Sequence, residues 1–169
     1  MNYFRILMVT GIGTVCCGIF ALIFYGIKLQ PPLHPSFVLI LFGFAGSFTY
    51  ALLREGRVRD AMFLNLLFFL AIVLIYKLFL TLTAVILLIY YSFNIAAIFF
   101  YTIRCDDKFT GFHIDRPLLL AGTVALSSLL ATIVHTLLMI SEHPPGYLLG
   151  NLPVGYLLGL GIGLGRETG

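Results

Sequence analysis

Hydrophobic positions in this chain fall into long unbroken runs rather than into the alternation of a strand or the stripe of an amphipathic helix. Runs of about twenty apolar residues occupy 6–27, 36–53, 61–79, 82–103, 118–140 and 146–165, with short polar stretches between them. At 1.5 Å per residue, about twenty residues cross about 30 Å of hydrocarbon. The pattern therefore predicts an all-α fold: a polytopic integral membrane protein, a bundle of six transmembrane helices, with residues 1–169 forming a single transmembrane domain. The division within 61–103 rests on Lys77, since this stretch is too long for one span. With Thr81 and Thr83, Lys77 marks the hairpin where a lysine can snorkel to the headgroups. The first run follows Arg5 and imitates a signal peptide. It is longer than a signal h-region, and no small-residue cleavage site leads into a polar mature sequence, so it reads as the first span.

Composition agrees with this pattern. Of the 169 residues 60% are hydrophobic and only 10% are charged, with a mean hydropathy of +1.06. A soluble domain carries about 25% charged residues, so there is too little polar surface for a water-facing exterior, and the lipid bilayer is the expected surrounding. A bacterial-type inner (plasma) membrane or an organellar inner membrane is the expected location. Cys16 and Cys17 are adjacent within the first span and Cys105 is remote from them, so no disulfide framework is expected, and adjacent cysteines on a helix behave as small apolar residues.

Charge adds a direction. With the N-terminus inside, Arg5, Arg54, Arg57, Arg59, Arg104, Lys108, Arg116 and Arg166 face the cytoplasm, and only Lys28 and Lys77 face outward. Lys and Arg accumulate on the cytoplasmic side, so an N-in/C-in arrangement is expected, and an even number of spans is consistent with it.

Glycine is unusually frequent in the last run, GYLLGNLPVGYLLGLGIGLGRETG. An interior Gly costs about 1 kcal/mol against Ala in a helix, and Pro about 3. In lipid, helices associate through close backbone packing, and small residues four apart make a flat face for it. Gly155, Gly159 and Gly163 have that spacing, Gly146 with Gly150 repeats it, and Gly161 with Gly165 forms a second ridge. Gly43, Ser47 and Ala51 offer a matching face in the second span. Pro153 frees a backbone carbonyl and implies a kink that Asn151 or a neighbouring helix can help to satisfy. These faces pack either within the bundle or against another membrane subunit.

Polar residues within the spans are few: Asn65, Ser92, Asn94, Ser127, Ser128, Thr132 and His135. His135 is the one ionisable group expected deep in the outer half, and intramembrane ionisable residues mark functional sites. Met139 and Glu142 follow it on the same helical face, with His143 and His34 in outer loops. His135, Glu142, His143 and His34 are therefore weak candidates for a soft-metal site or a proton relay; against this stands a lone helical histidine bonded to a neighbouring helix, with solvated loop residues beyond.

At the inner face, REGRVRD (54–60) and RCDDKFTGFHIDRP (104–117) interleave both signs of charge, which suggests paired charges and a protein contact rather than a purely polybasic lipid-binding run. Asp106, Asp107 and Asp115 lack the partner carboxylates of a metal-dependent transferase, and no phosphate-binding glycine loop is present. No catalytic residue, cofactor or metal is assigned, and nucleic-acid binding has no support beyond a net charge of +3.

Gly13-Thr14-Val15, Pro31-Pro32 and Arg54-Glu55 are echoed by Gly122-Thr123-Val124, Pro144-Pro145 and Arg166-Glu167, which raises the idea of a parallel repeat of spans 1–2 in spans 5–6. Short matches arise easily in so biased a composition, and chance is the better explanation. In size and six-span layout the chain resembles the substrate-binding components of energy-coupling-factor vitamin transporters, whose small-residue surfaces have a loose parallel in Gly11, Gly13 and Gly18. The stretch LIYYSFNIAAIFFY (88–101) resembles small membrane subunits of respiratory complexes, without the glycines expected at their bend. Neither likeness carries residues across. The expected function is a non-enzymatic integral membrane subunit packing through its glycine faces into a larger complex. The alternative is a small-molecule carrier, or a substrate-binding transporter component, with an outer-facing pocket near His34, Asn94, His135 and Glu142.

Overall fold

The structure, a computed structural model, describes residues 3–26, 34–79, 81–105, 115–139 and 146–167. These residues form six helices: α1 (Tyr3–Tyr25), α2 (Pro35–Arg54), α3 (Val58–Phe79), α4 (Thr81–Arg104), α5 (Asp115–Met139) and α6 (Gly146–Glu167). Each matches one predicted apolar run to within a few residues. Five are long and apolar enough to cross a membrane: Tyr3–Tyr25, Pro35–Arg54, Val58–Ile75, Val85–Arg104 and Arg116–Leu138. The sixth, α6, lies in the same bundle and is not among those five. Glu142 and His143 lie outside the described residues.

Local chemistry fixes the helix ends. His34 is the N-cap of α2, its Nδ1 accepting from the Ser36 backbone N–H at 3.3 Å, and Pro35 follows at the first helical position, where its missing N–H costs nothing. At the other end of α2 the chain reverses through Gly56, whose φ of +72° only glycine adopts cheaply. The Gly56 N–H donates to Leu53 O at 3.0 Å and the Arg57 N–H to Leu52 O at 2.9 Å, a Schellman motif that satisfies the last carbonyls of α2. Arg57 then pairs with Asp60 in the first turn of α3.

The interior of the bundle is organised around α6, which packs most extensively on α5 and next on α1, while α1 also packs along α2. Small residues allow all three contacts. A Cβ on Gly155 would lie 2.7 Å from Ser128 Cβ, one on Gly159 2.7 Å from Ala121 Cα, and one on Gly163 2.7 Å from Pro117 Cα, so this ridge lies directly on α5. The second ridge faces the opposite way. A Cβ on Gly161 would lie 2.5 Å from Cys17 Sγ, and one on Gly165 2.6 Å from Gly13 Cα, both on α1. On α2, Gly43 abuts the Cys17 side chain, Ser47 fills the space left by Gly13, and Ala51 is buried beside them. Cys17, fully buried, donates weakly to Leu158 O at 3.8 Å and so belongs to a seam of α1, α2 and α6 rather than to any thiol chemistry.

The two Gly-Thr-Val stretches occupy unlike places. Gly13 is buried in this seam, whereas Gly122 has no atom within 4 Å of the position its Cβ would take. At these two glycines the echo in sequence has no counterpart in packing. At the edge of the bundle stands α3, with only 11% of Val58–Ile75 buried, against 67% of α2. A polar clasp fastens it: Asn65 Nδ2 donates to Thr49 Oγ1 of α2 at 2.8 Å, and Asn65 Oδ1 accepts from Tyr91 OH of α4 at 2.6 Å. Stacked rings of Phe68 and Tyr91 and an edge-on contact of Tyr91 with Phe42 surround it.

Candidate functional site

Where α2, α4, α5 and α6 meet, toward the end at which α2 and α6 begin, they leave a cavity of about 50 Å³. Pro35 and Val38 of α2, Tyr90 and Asn94 of α4, Ser128 of α5 and Asn151 and Val154 of α6 line it. The sequence puts these groups together by simple periodicity. Tyr90 and Asn94 are four apart on α4, and Ser128, Thr132 and His135 follow at four and three on α5, so each set shares one helical face.

Their hydrogen bonds have a fixed direction. Thr132 has one hydroxyl proton and gives it to Ser128 O at 2.8 Å. In the 2.7 Å contact between Tyr90 OH and Thr132 Oγ1, tyrosine is therefore the donor. Asn151 Nδ2 in turn donates to Tyr90 OH at 2.8 Å. Separately, Ser128 Oγ donates to Asn94 Oδ1 at 2.9 Å. That bond engages the Asn94 carbonyl, and Asn94, only 4% exposed, stands at the cavity wall beside Ser128.

Gly155 joins the glycine ridge to this site. Its missing side chain is the room in which Ser128 stands while it reaches Asn94. Asn151 bridges to Tyr90 and Thr132. Pro153 itself lies inside a continuous α6.

Of the candidate histidines, His135 is buried and its ring meets Tyr90 edge-on, with centroids 6.3 Å apart at 74°. His34 lies beside the cavity-lining Pro35, but its ring is engaged with Ser36, Nδ1 to Oγ at 2.6 Å. Among the described residues no three His, Cys, Asp or Glu side chains converge as a metal site would require. Asn65 and Ser92 lie away from the cavity, at the α3–α4 side, and Ser127 is buried on α5 with no hydrogen bond to its hydroxyl. Tyr90 was not singled out from the sequence. Its position four residues before Asn94 was the available signal, obscured by the neighbouring aromatic run.

The volume limits the occupant. A water needs at least about 10–15 Å³ of such space, so the cavity takes a few waters or one very small molecule, and pockets for drug-sized ligands are several times larger. No charged residue is among its described lining residues.

Fold and site together define a class: an all-α bundle with several helices apolar enough to cross a membrane and, between four of them, a small uncharged cavity whose mostly apolar wall carries a few polar groups. The chain matches no family model, no curated protein and no solved structure in comparisons with known proteins.

Proposed function

We propose that the chain is a six-span membrane protein with both termini in the cytoplasm, acting as a small-molecule carrier or a substrate-binding transporter component. Its cavity faces outward and takes a small, uncharged molecule. The observation that supports this is that Tyr90, Asn94, Ser128 and Asn151, polar side chains from three helices, line one small cavity within the bundle. In a bilayer such an arrangement is expensive to keep without use. Anything larger than a few waters requires the α2 wall at Pro35 and Val38 to move aside.

The test is permeation in reconstituted vesicles, with urea, formamide and glycerol as probes and stopped-flow light scattering as the readout. Wild-type protein should speed entry of at least one probe over protein-free vesicles, and Asn94→Leu should abolish the gain. Equal rates with and without protein for all three would remove this reading.

A second reading, the non-enzymatic subunit of a larger membrane complex, draws on α3. The glycine ridges are engaged inside the chain, so its docking face would be the almost unburied α3. Mass analysis of what copurifies in mild detergent tests it, and a preparation containing this chain alone would count against it.

A further inference from the structure

Away from the polar cavity, α3 and α4 enclose an open groove of about 670 Å³, lined by Arg59, Met62, Phe63, Leu66 and Phe69 of α3 and by Tyr91, Ser92 and Ile95 of α4, with Asn65 at its base. Its chemistry is uneven along its length. Arg59 lies in the first turn of α3, and among the described residues it has no carboxylate partner, because the nearby Asp60 is held by Arg57. Beyond Arg59 the walls are almost wholly apolar. Asn65 contributes no open polar group, since its amide donates to Thr49 and to Ala61 O and its carbonyl accepts from Tyr91.

The length of the groove identifies what it fits. Phe69 lies ten positions after Arg59, about 15 Å along a helix. That is half of a hydrocarbon core about 30 Å thick, the depth of one leaflet. A cation at headgroup level, followed by an apolar channel one leaflet deep, has the form of a single lipid.

We propose that this groove holds one anionic phospholipid, its phosphate on Arg59 and one acyl chain along Met62, Leu66 and Phe69. The neutral, chain-shaped interior selects a lipid tail, and the Arg59 guanidinium selects the negative headgroup. The lipid fills the hollow that the sparse contact of α3 with the bundle leaves open, and so it supports α3 where protein packing does not. This site rests on α3 and α4 spanning the membrane and is independent of the ligand cavity.

Native mass spectrometry of the full chain, titrated with dioleoyl phosphatidylglycerol or dioleoyl phosphatidylcholine, tests it. Wild-type protein should retain phosphatidylglycerol preferentially. Arg59→Gln should weaken phosphatidylglycerol retention about fivefold, the scale of one basic residue at an anionic surface, and bring it near that of phosphatidylcholine. Ser92→Phe, which places a ring in the groove from an exposed position, should lower retention of both lipids. Arg5→Gln, at the same end of the bundle but outside the groove, and Asn94→Leu, in the cavity, should each leave retention unchanged. Equal retention of the two lipids by wild-type protein would overturn the proposal. So would a loss on Arg59→Gln with none on Ser92→Phe, since that describes surface attraction without a seated chain. Both exposed variants are checked for intact helix content by circular dichroism.

Discussion

Gly155 of α6 and Ser128 of α5 share one space: a Cβ added to the glycine would fall 2.7 Å from the serine Cβ and closer still to its hydroxyl. The hydroxyl that occupies this space is the one that holds Asn94. Gly155→Ala is therefore expected to displace Ser128 and free the Asn94 carbonyl, at a cost of about 1–3 kcal/mol from overpacking. Thermal unfolding in detergent measures it. Combining it with Ser128→Ala should cost less than the sum of the two single changes, because the nearest of the clashing atoms, the hydroxyl oxygen, has gone while the Cβ stays. Strict additivity would mean that the two residues do not meet.

Gly159 differs from Gly155 in what it faces. Its neighbours are Ala121 Cα at 2.7 Å and Leu120 O at 2.8 Å, backbone atoms that cannot swing aside. Gly159→Leu should therefore lower the thermal stability of the isolated protein more than Gly155→Ala does, whereas the exposed Leu164→Ala should stay within about 0.5 kcal/mol. Loss of a copurifying partner with unchanged stability would instead place the contact between molecules.

For α3, stability and attachment separate. Asn65→Leu removes the bonds to Thr49 and Tyr91 while adding apolar bulk. Interhelical hydrogen bonds in membranes contribute about 0.6 kcal/mol on average and up to about 1.7, so the bundle should persist while α3 loosens. Hydrogen exchange followed by mass spectrometry should quicken in 58–79 and stay unchanged in 146–167. Uniform acceleration along the chain would show that Asn65 stabilises the whole fold instead.

Orientation is open to a direct check. Reporter fusions after residue 169 and within the 104–117 loop should both read cytoplasmic, as the weight of eight of the ten basic residues predicts. An outward signal at either position would overturn this topology, and outward signals at both would reverse the expected side of the cavity and of the lipid groove together.

Much of this fold was legible because it is written along one dimension. Apolar run length set the helices, and the four-residue spacing of Gly155, Gly159 and Gly163 set a face. Spacing names a face without naming its neighbour, however, which is why the ridge read equally well as an outer surface until α5 was seen against it. The polar site was half visible. Ser128, Thr132 and His135 recur on one side of α5, but Tyr90 and Asn151 join them only through tertiary contact. The marginal position of α3 was hidden for a further reason: phenylalanine and leucine suit lipid and protein interior alike, so 61–79 reads the same whichever it faces. Glu142 and His143, expected beside His135, lie outside the described residues.

The bond from Cys17 to Leu158 spans 141 residues of sequence. At roughly 5–20 residues per second of synthesis, α1 waits on the order of ten seconds for the helix that completes its inner surface. Through that interval Gly13 and Cys17 present their small-residue side to the lipid or to the insertion machinery, with only α2 beside them. Assembly of this bundle thus closes late and from both ends of the chain. A ribosome that stalls before α6 emerges leaves behind α1 to α5 with the α6-facing flanks of α1 and α5 open.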